Sequence, residues 1–511
     1  MGLSDVVFKL IKSLSVEEKR HFEKENALRN QKTAPLYIEL YNIMEDTVKD
    51  ELYNELDGKY SEEGLQKKIA DTRLKKHLSV YKHTLYEYLL QSLRSYYNED
   101  KASTKLYNLL REVQLLINRG MHKAAYKRLR VAKSLAEKYD YRIELLRLLE
   151  TERRLIRRFE RREQEQKIEA IKRQSEECVR IISYNNQVQN LYDRFYLQTI
   201  NEKLTAEEKE ETKHQILQIE QRINDTGLHS FHLMNNLVKL KLVLYYKDHE
   251  FTELALKHQR NMMTLFQEHH HMISEDPDNY ISFSHNYMLL LLRQKAYDEI
   301  QMILGQLRKL TIPIQEGGHG INLLQVKARL FQISYFTELA LLARQEHYKE
   351  AVALIPTIEE GLSTYKKHIP VSLQLMFFQN IAGVYFLDKQ YQQVLPWINR
   401  ILTLEDSHKM KMNTRLLSRL IQIIVHFELE DYGIVAEHLV PSFRKHLSRY
   451  KNHPEIAKSG TAYRKMLSVL SKASYSTKDK KRKLLSQFYE DAKAIPIFAL
   501  ILPWIKAQAE K

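Results

Sequence analysis

FQNIAGVYFLDKQYQQVLPWINRIL, residues 378–402, decides the fold. Phe378, Ile381, Ala382 and Tyr385 recur at steps of three and four, the period of a helix with one apolar face. A short polar turn, LDKQY, follows, and its aromatic, Tyr391, opens a second helix that continues through Val394. The pattern is therefore helix, short turn, aromatic, helix.

The same pattern occurs on both sides of this stretch. The turns read YKDHEF, RQKAY, RQEHY, LDKQY and LEDY. Their aromatics are Phe251, Tyr297, Tyr348, Tyr391 and Tyr432, spaced 46, 51, 43 and 41 residues apart. Three positions beyond them stand Leu254, Ile300, Ala351, Val394 and Val435. Such a recurrence is the sign of a helical solenoid, in which each pair buries its apolar face only by stacking on its neighbours.

Residues 378–402 resemble a tetratricopeptide repeat. Phe378 takes the place of the family's large aromatic, Ile381-Ala382 that of its Leu-Gly pair, and Tyr385 that of the Tyr that follows. Tyr391 takes the place of the turn aromatic and Val394 that of the small residue in the second helix. The other repeats keep mainly the turn aromatic and the small or aliphatic residue after it. The resemblance covers residues 228–440 well and 103–138 weakly. It implies an all-α, tetratricopeptide-like right-handed superhelix whose concave groove binds a peptide or protein. The spacing exceeds the family's shorter period, so the helices must be longer or the linkers extended. The whole chain is also similar to uncharacterised helical-repeat proteins of Bacteroidetes bacteria, which implies no activity.

Around the array the chain divides into an N-terminal helical region (1–100), a helix pair with a long charged helix (101–227), the array (228–440) and a basic, then apolar, tail (441–511). Ser15-Val16-Glu17-Glu18 and Thr205-Ala206-Glu207-Glu208 are capping boxes that start helices. Leu74, Leu78, Tyr81, Leu85, Leu89 and Leu93 predict one amphipathic helix over 65–97. Gly120 reads as a helix C-terminus. Residues 141–203 read as one or two long helices. Their mixed charges suit either a solvated surface laced with ion pairs or a coiled-coil contact.

Composition agrees. Only 13 Gly and 10 Pro occur in 511 residues, and no Pro lies between Pro35 and Pro277, which favours long helices. The single cysteine, Cys178, excludes an internal disulfide and reads as a small buried apolar residue. The opening residues lack a signal-peptide pattern. The longest apolar run, Ala494–Ile505, is too short to span a bilayer, so a cytoplasmic protein without a membrane span is expected. That run is expected either to close the end of the array or to dock on a second copy as a homo-oligomer contact.

Few motifs in the chain carry chemistry. His269-His270-His271 cannot all face one metal from a helix, and reads as a polar helix end. Gly317-Gly318-His319-Gly320 lacks the flanking residues of a phosphate loop and reads as a linker. No nucleophile elbow, HExxH or kinase signature occurs. Neither a catalytic residue, a metal ligand nor a cofactor is expected.

Charge points elsewhere. Of a net +15, Ser442–Lys483 carries +11: thirteen Lys/Arg against Glu455 and Asp479. Arg444, Lys445, Arg449, Lys451, Arg464 and Lys465 interleave with Phe443, Tyr450 and Tyr463, and Lys480, Lys481, Arg482 and Lys483 form a dense run. These cations suit phosphates, with the aromatics stacking on bases, and the basic stretch Lys67–Lys82 is a second candidate. Because Phe443 and Tyr463 also fall in helical register with Leu447, Met466 and Leu470, the alternative is core aromatics under a solvated or protein-binding face. The expectation is a non-enzymatic scaffold for a protein or peptide, the competing one a regulator that contacts nucleic acid.

Overall fold

The computed structural model describes residues 3–29, 35–49, 62–97, 101–159, 164–200, 205–245, 252–310, 323–403, 412–493 and 498–510. The turn aromatic Phe251, the segment Gly317–Gly320 and residues 494–497 of the tail lie outside them. Among the described residues every regular element is helical and no strand occurs. The chain forms two compact units, one of residues 1–240 with 314–323, the other of 241–313 with 324–511.

The first unit begins with a helical head. Ser15 and Glu18 form the expected box: the Ser15 N–H donates to Glu18 Oε2 (2.5 Å) and the Glu18 N–H to Ser15 Oγ (3.2 Å). The helix expected over 65–97 is three helices, Glu62–Lys68, Thr72–Lys76 and Leu78–Tyr96. Asp71 causes the first break, because its carboxylate accepts the Leu74 N–H (2.7 Å) and caps a new helix. His77, at φ −118° and ψ 32°, makes the second. The apolar stripe continues in phase across both breaks, so Leu74, Leu78, Leu85 and Leu89 still share one core.

Beyond the head, the helices Ala102–Asn118, His122–Lys138, Arg142–Phe159 and Gln164–Ile200 follow one another. They bury Leu106, Leu129, Leu145 and Cys178 in one cluster. Thr205 and Glu208 cap the next helix, Ala206–Thr226, with both bonds of the box in place.

One turn recurs in both units. In the second unit the pairs Pro277–Gln294 with Tyr297–Lys309, Leu323–Arg344 with Tyr348–Thr364, and Val371–Leu387 with Tyr391–Thr403 each change direction at a residue of left-handed backbone. These residues are Lys295, Glu346 and Lys389, with φ of 58°, 62° and 63°. The N–H of the next residue reaches back five positions, as from Gln390 to the Tyr385 carbonyl (2.9 Å) and from His347 to that of Leu342 (2.9 Å). This is the Schellman ending of a helix, which satisfies carbonyls that the helix leaves unpaired. Glu430 (φ 63°) closes Met412–Glu428 in the same way. In the first unit Gly120 (φ 72°) and Asp140 (φ 57°) do likewise ahead of His122 and Arg142.

A second regularity follows from the turn. Ile300, Ala351, Val394 and Val435, three residues after each aromatic, are fully buried. Ala125 and Leu145 hold the same register after His122 and Arg142 and are equally buried. Two or three residues between these helices leave the second one little freedom of phase, so its fourth residue faces its partner; Leu254, three positions after Phe251, is only half-buried.

The second unit ends in a π-helical turn, Ile434–Leu439, which runs into Val440–Arg449, Pro454–Ser474, Lys478–Ala492 and Leu502–Glu510. Pro441 accounts for the wide turn: it has no N–H for the Glu437 carbonyl, and its ring would collide with that carbonyl in a regular helix. Phe498, Ile501, Trp504 and Ile505 of the apolar tail are buried in the same core as Phe377 and Ile421. Trp504 meets Phe427 edge-on, 6.3 Å between centroids. These four side chains are therefore buried within their own unit.

Candidate functional site

Of the turn aromatics, Tyr391 sits where two pairs meet. Tyr297, Tyr348 and Tyr391 are each the first residue of a helix and are half-buried. Burial, then Glu428 beside it, pushes the Tyr391 hydroxyl far above its ordinary range, and Glu428 belongs to the following helix pair. Tyr348 is raised by burial and by Glu346. Phe378 packs its ring 5.6 Å from Trp397, joining the two helices of one pair. Tyr385, also half-buried, is raised by burial and then by Glu359 of the preceding pair. Tyr432 lies 5.4 Å from Phe427 and has the Lys481 ammonium 3.7 Å above its ring.

The C-terminal cations divide into two groups. Arg444, Lys445, Arg449, Lys451, Arg464, Lys465, Lys480 and Lys483 are exposed. Lys481 is held over Tyr432, and Arg482 Nε donates to the Ala509 carbonyl (3.1 Å). Phe443 and Tyr463 are buried with their rings 5.6 Å apart, beside Leu447, Met466 and Leu470. These two offer no face to a base, whereas Tyr450 is half-buried and Tyr475 is exposed. Burial, then Arg419, Arg415 and Arg449, pushes His446 down to about 4. In the other candidate stretch, Lys82 is buried and its ammonium is 2.9 Å from Glu62, so it reaches no phosphate.

Two sites escaped the reading of the sequence. The first is a buried polar knot around Asp140. Its carboxylate accepts the Ser230 hydroxyl (2.7 Å), the His232 N–H (3.0 Å) and Arg142 Nε (2.5 Å). Arg142 also donates to the His229 carbonyl (3.0 Å). The knot ties the turn at 140 to the start of the helix Phe231–Tyr245. Cys178 lies beside it, and burial raises its thiol against the opposing pull of Arg142, so it remains an unreactive core residue. No local pattern signals an interaction between residues 90 positions apart.

The second is a groove of about 1020 Å³ along the helices Ala102–Asn118 and His122–Lys138. Lys105 and Arg111 stand on one wall, Lys127 and Arg130 on the other, and all four are exposed. Between them Leu115 and Val131 are more than half exposed, at 52% and 51%. Glu112 is the one acid in the lining, and it is paired with Arg128. Its signal was present as exposed apolar residues within a basic surface, but spread over two helices.

Among the described residues no group of three or more His, Cys, Asp or Glu could hold a metal. His269 stands between two helices, its ring 5.8 Å from that of His271. No described helix is long and apolar enough to cross a membrane. No family model, curated protein or solved structure matches the chain.

Proposed function

We propose that the chain is a non-enzymatic, tetratricopeptide-like scaffold, a right-handed superhelix of helix pairs, that holds a protein or peptide partner in the cytoplasm without a cofactor. The observation that carries this is the repeated turn. Six left-handed residues, each followed three positions after the next helix start by a buried Ile, Ala, Val or Leu, make one rigid unit used again and again. Arrays of such units supply surface rather than a reaction centre. Against a nucleic-acid regulator stand the burial of Phe443 and Tyr463 and the engagement of Lys481 and Arg482 within the chain.

The test is affinity capture of the full chain from its native cell, with and without nuclease. A specific protein partner that survives nuclease supports the scaffold. Co-purification of nucleic acid alone, or loss of every partner on nuclease treatment, overturns it.

A further inference from the structure

The groove on Ala102–Asn118 and His122–Lys138 has the chemistry of a particular occupant, and we infer that it docks an acidic amphipathic helix of the partner protein. This inference rests on the scaffold reading and names its site. Three observations converge on it.

The first is charge. Lys105, Arg111, Lys127 and Arg130 form no ion pair among the described residues, while the only acid in the lining, Glu112, is taken by Arg128. Four unneutralised cations on two facing walls attract a segment with carboxylates along both of its sides.

The second is the apolar strip between the walls. Leu115 and Val131 come from different helices, and Leu109 and Leu135 also line the groove. Aliphatic side chains left half exposed inside a basic rim gain by meeting aliphatic side chains. No aromatic residue lines the groove, so a nucleic acid would find phosphate contacts but nothing on which to stack a base.

The third is length. From Lys127 to Lys138 the wall runs eleven residues, or about 16 Å at the helical rise. That accommodates about three turns of an occupant helix, whose i, i+3, i+4 and i+7 aliphatics would fill the strip.

The test uses the full chain and a fluorescein-labelled synthetic helix of about 12 residues, with leucines at i, i+3, i+4 and i+7 and glutamates flanking them. Its control has the same composition with the leucines scattered round the helix. Anisotropy is expected to show the patterned peptide binding about tenfold or more tighter than its control. Lys127→Glu with Arg130→Glu, and separately Leu115→Gln with Val131→Gln, should each weaken it about tenfold or more. All four positions are exposed, so both variants should keep the parent's circular dichroism. Lys480→Glu with Lys483→Glu, basic substitutions in the other unit, should leave binding unchanged. Equal binding of the two peptides, equal loss on the Lys480 and Lys483 substitutions, or tighter binding of a single-stranded oligoribonucleotide that competes for the groove would each overturn the assignment. A native partner retained unchanged by both groove variants sinks the groove and leaves the scaffold standing. Absence of any nuclease-resistant partner sinks the reading beneath it.

Discussion

Gly361 offers a sharp test of how the helix pairs close. It sits in Tyr348–Thr364, facing Phe331 of Leu323–Arg344. A Cβ added there would overlap two atoms of the Phe331 ring and come within 2.6 Å of a third, Cδ2. Carbon atoms settle about 3.5–4.0 Å apart, so even that third atom must retreat by about 1 Å. The ring has little room to retreat, because Tyr335, Tyr365 and Phe377 lie 5.1, 5.5 and 5.8 Å away, centroid to centroid. Overpacking of this kind costs about 1–3 kcal/mol, and the confined ring argues for the upper end. Alanine returns about 0.5–1 kcal/mol of helix propensity. Gly361→Ala should therefore destabilise the second unit by about 2 kcal/mol. Gly305, in Tyr297–Lys309, is the internal control: a Cβ there meets nothing within 4 Å. Gly305→Ala should stabilise by about 0.5–1 kcal/mol. Both tryptophans, Trp397 and Trp504, belong to the second unit, so their fluorescence in a urea titration reports its unfolding. If Gly361→Ala matches Gly305→Ala in sign, the pair is not packed as described.

Other perturbations have equally definite outcomes. Lys389→Gly, which removes a side chain from left-handed backbone, should stabilise by about 0.5–1 kcal/mol in the same fluorescence titration. Tyr391→Ala should lower the thermal midpoint and weaken partner binding only in proportion; lost binding at an unchanged midpoint would contradict its place between helix pairs. Asp140→Ala strips the Ser230, His232 and Arg142 bonds together and should cost the first unit about 3 kcal/mol, visible as faster amide exchange in residues 142–159. Acid should loosen the second unit. His258 and His446 are held neutral down to about 4, each by burial first and then by neighbouring cations, while the unfolded chain takes up these protons near 6.5. The unfolded state binds more protons in between, so stability falls as pH drops from about 6.5 to about 4, and His446→Gln should flatten that slope.

How much the sequence disclosed depended on how local each feature is. Helical character, both capping boxes and the Gly120 terminus rest on neighbouring residues, and all are present in the fold. The breaks at Asp71 and His77 were hidden because the apolar stripe stays in phase across them. The shared turn was half legible. Its aromatic stood out, but the left-handed residue two positions earlier did not, since Lys, Glu and Asp occupy a place where glycine would have announced it. The register of the tail's aromatics with Leu447, Met466 and Leu470 favours core over base-stacking, and Phe443 and Tyr463 are buried together. The Asp140 knot was illegible because it joins Asp140 to Ser230, 90 positions away, and the groove's signal was spread over two successive helices. In each, packing brings together side chains that, taken singly, look ordinary.

The proposal that the chain holds a protein rather than a nucleic acid is tested most directly by the salt dependence of its partner complex. With the captured partner purified and recombined with the full chain, Kd is measured at 50 and at 200 mM salt. The scaffold reading predicts a change of about tenfold or less, since an apolar seam carries part of the affinity. A fall in affinity of about a thousandfold or more, the mark of many displaced phosphate counterions, would contradict it.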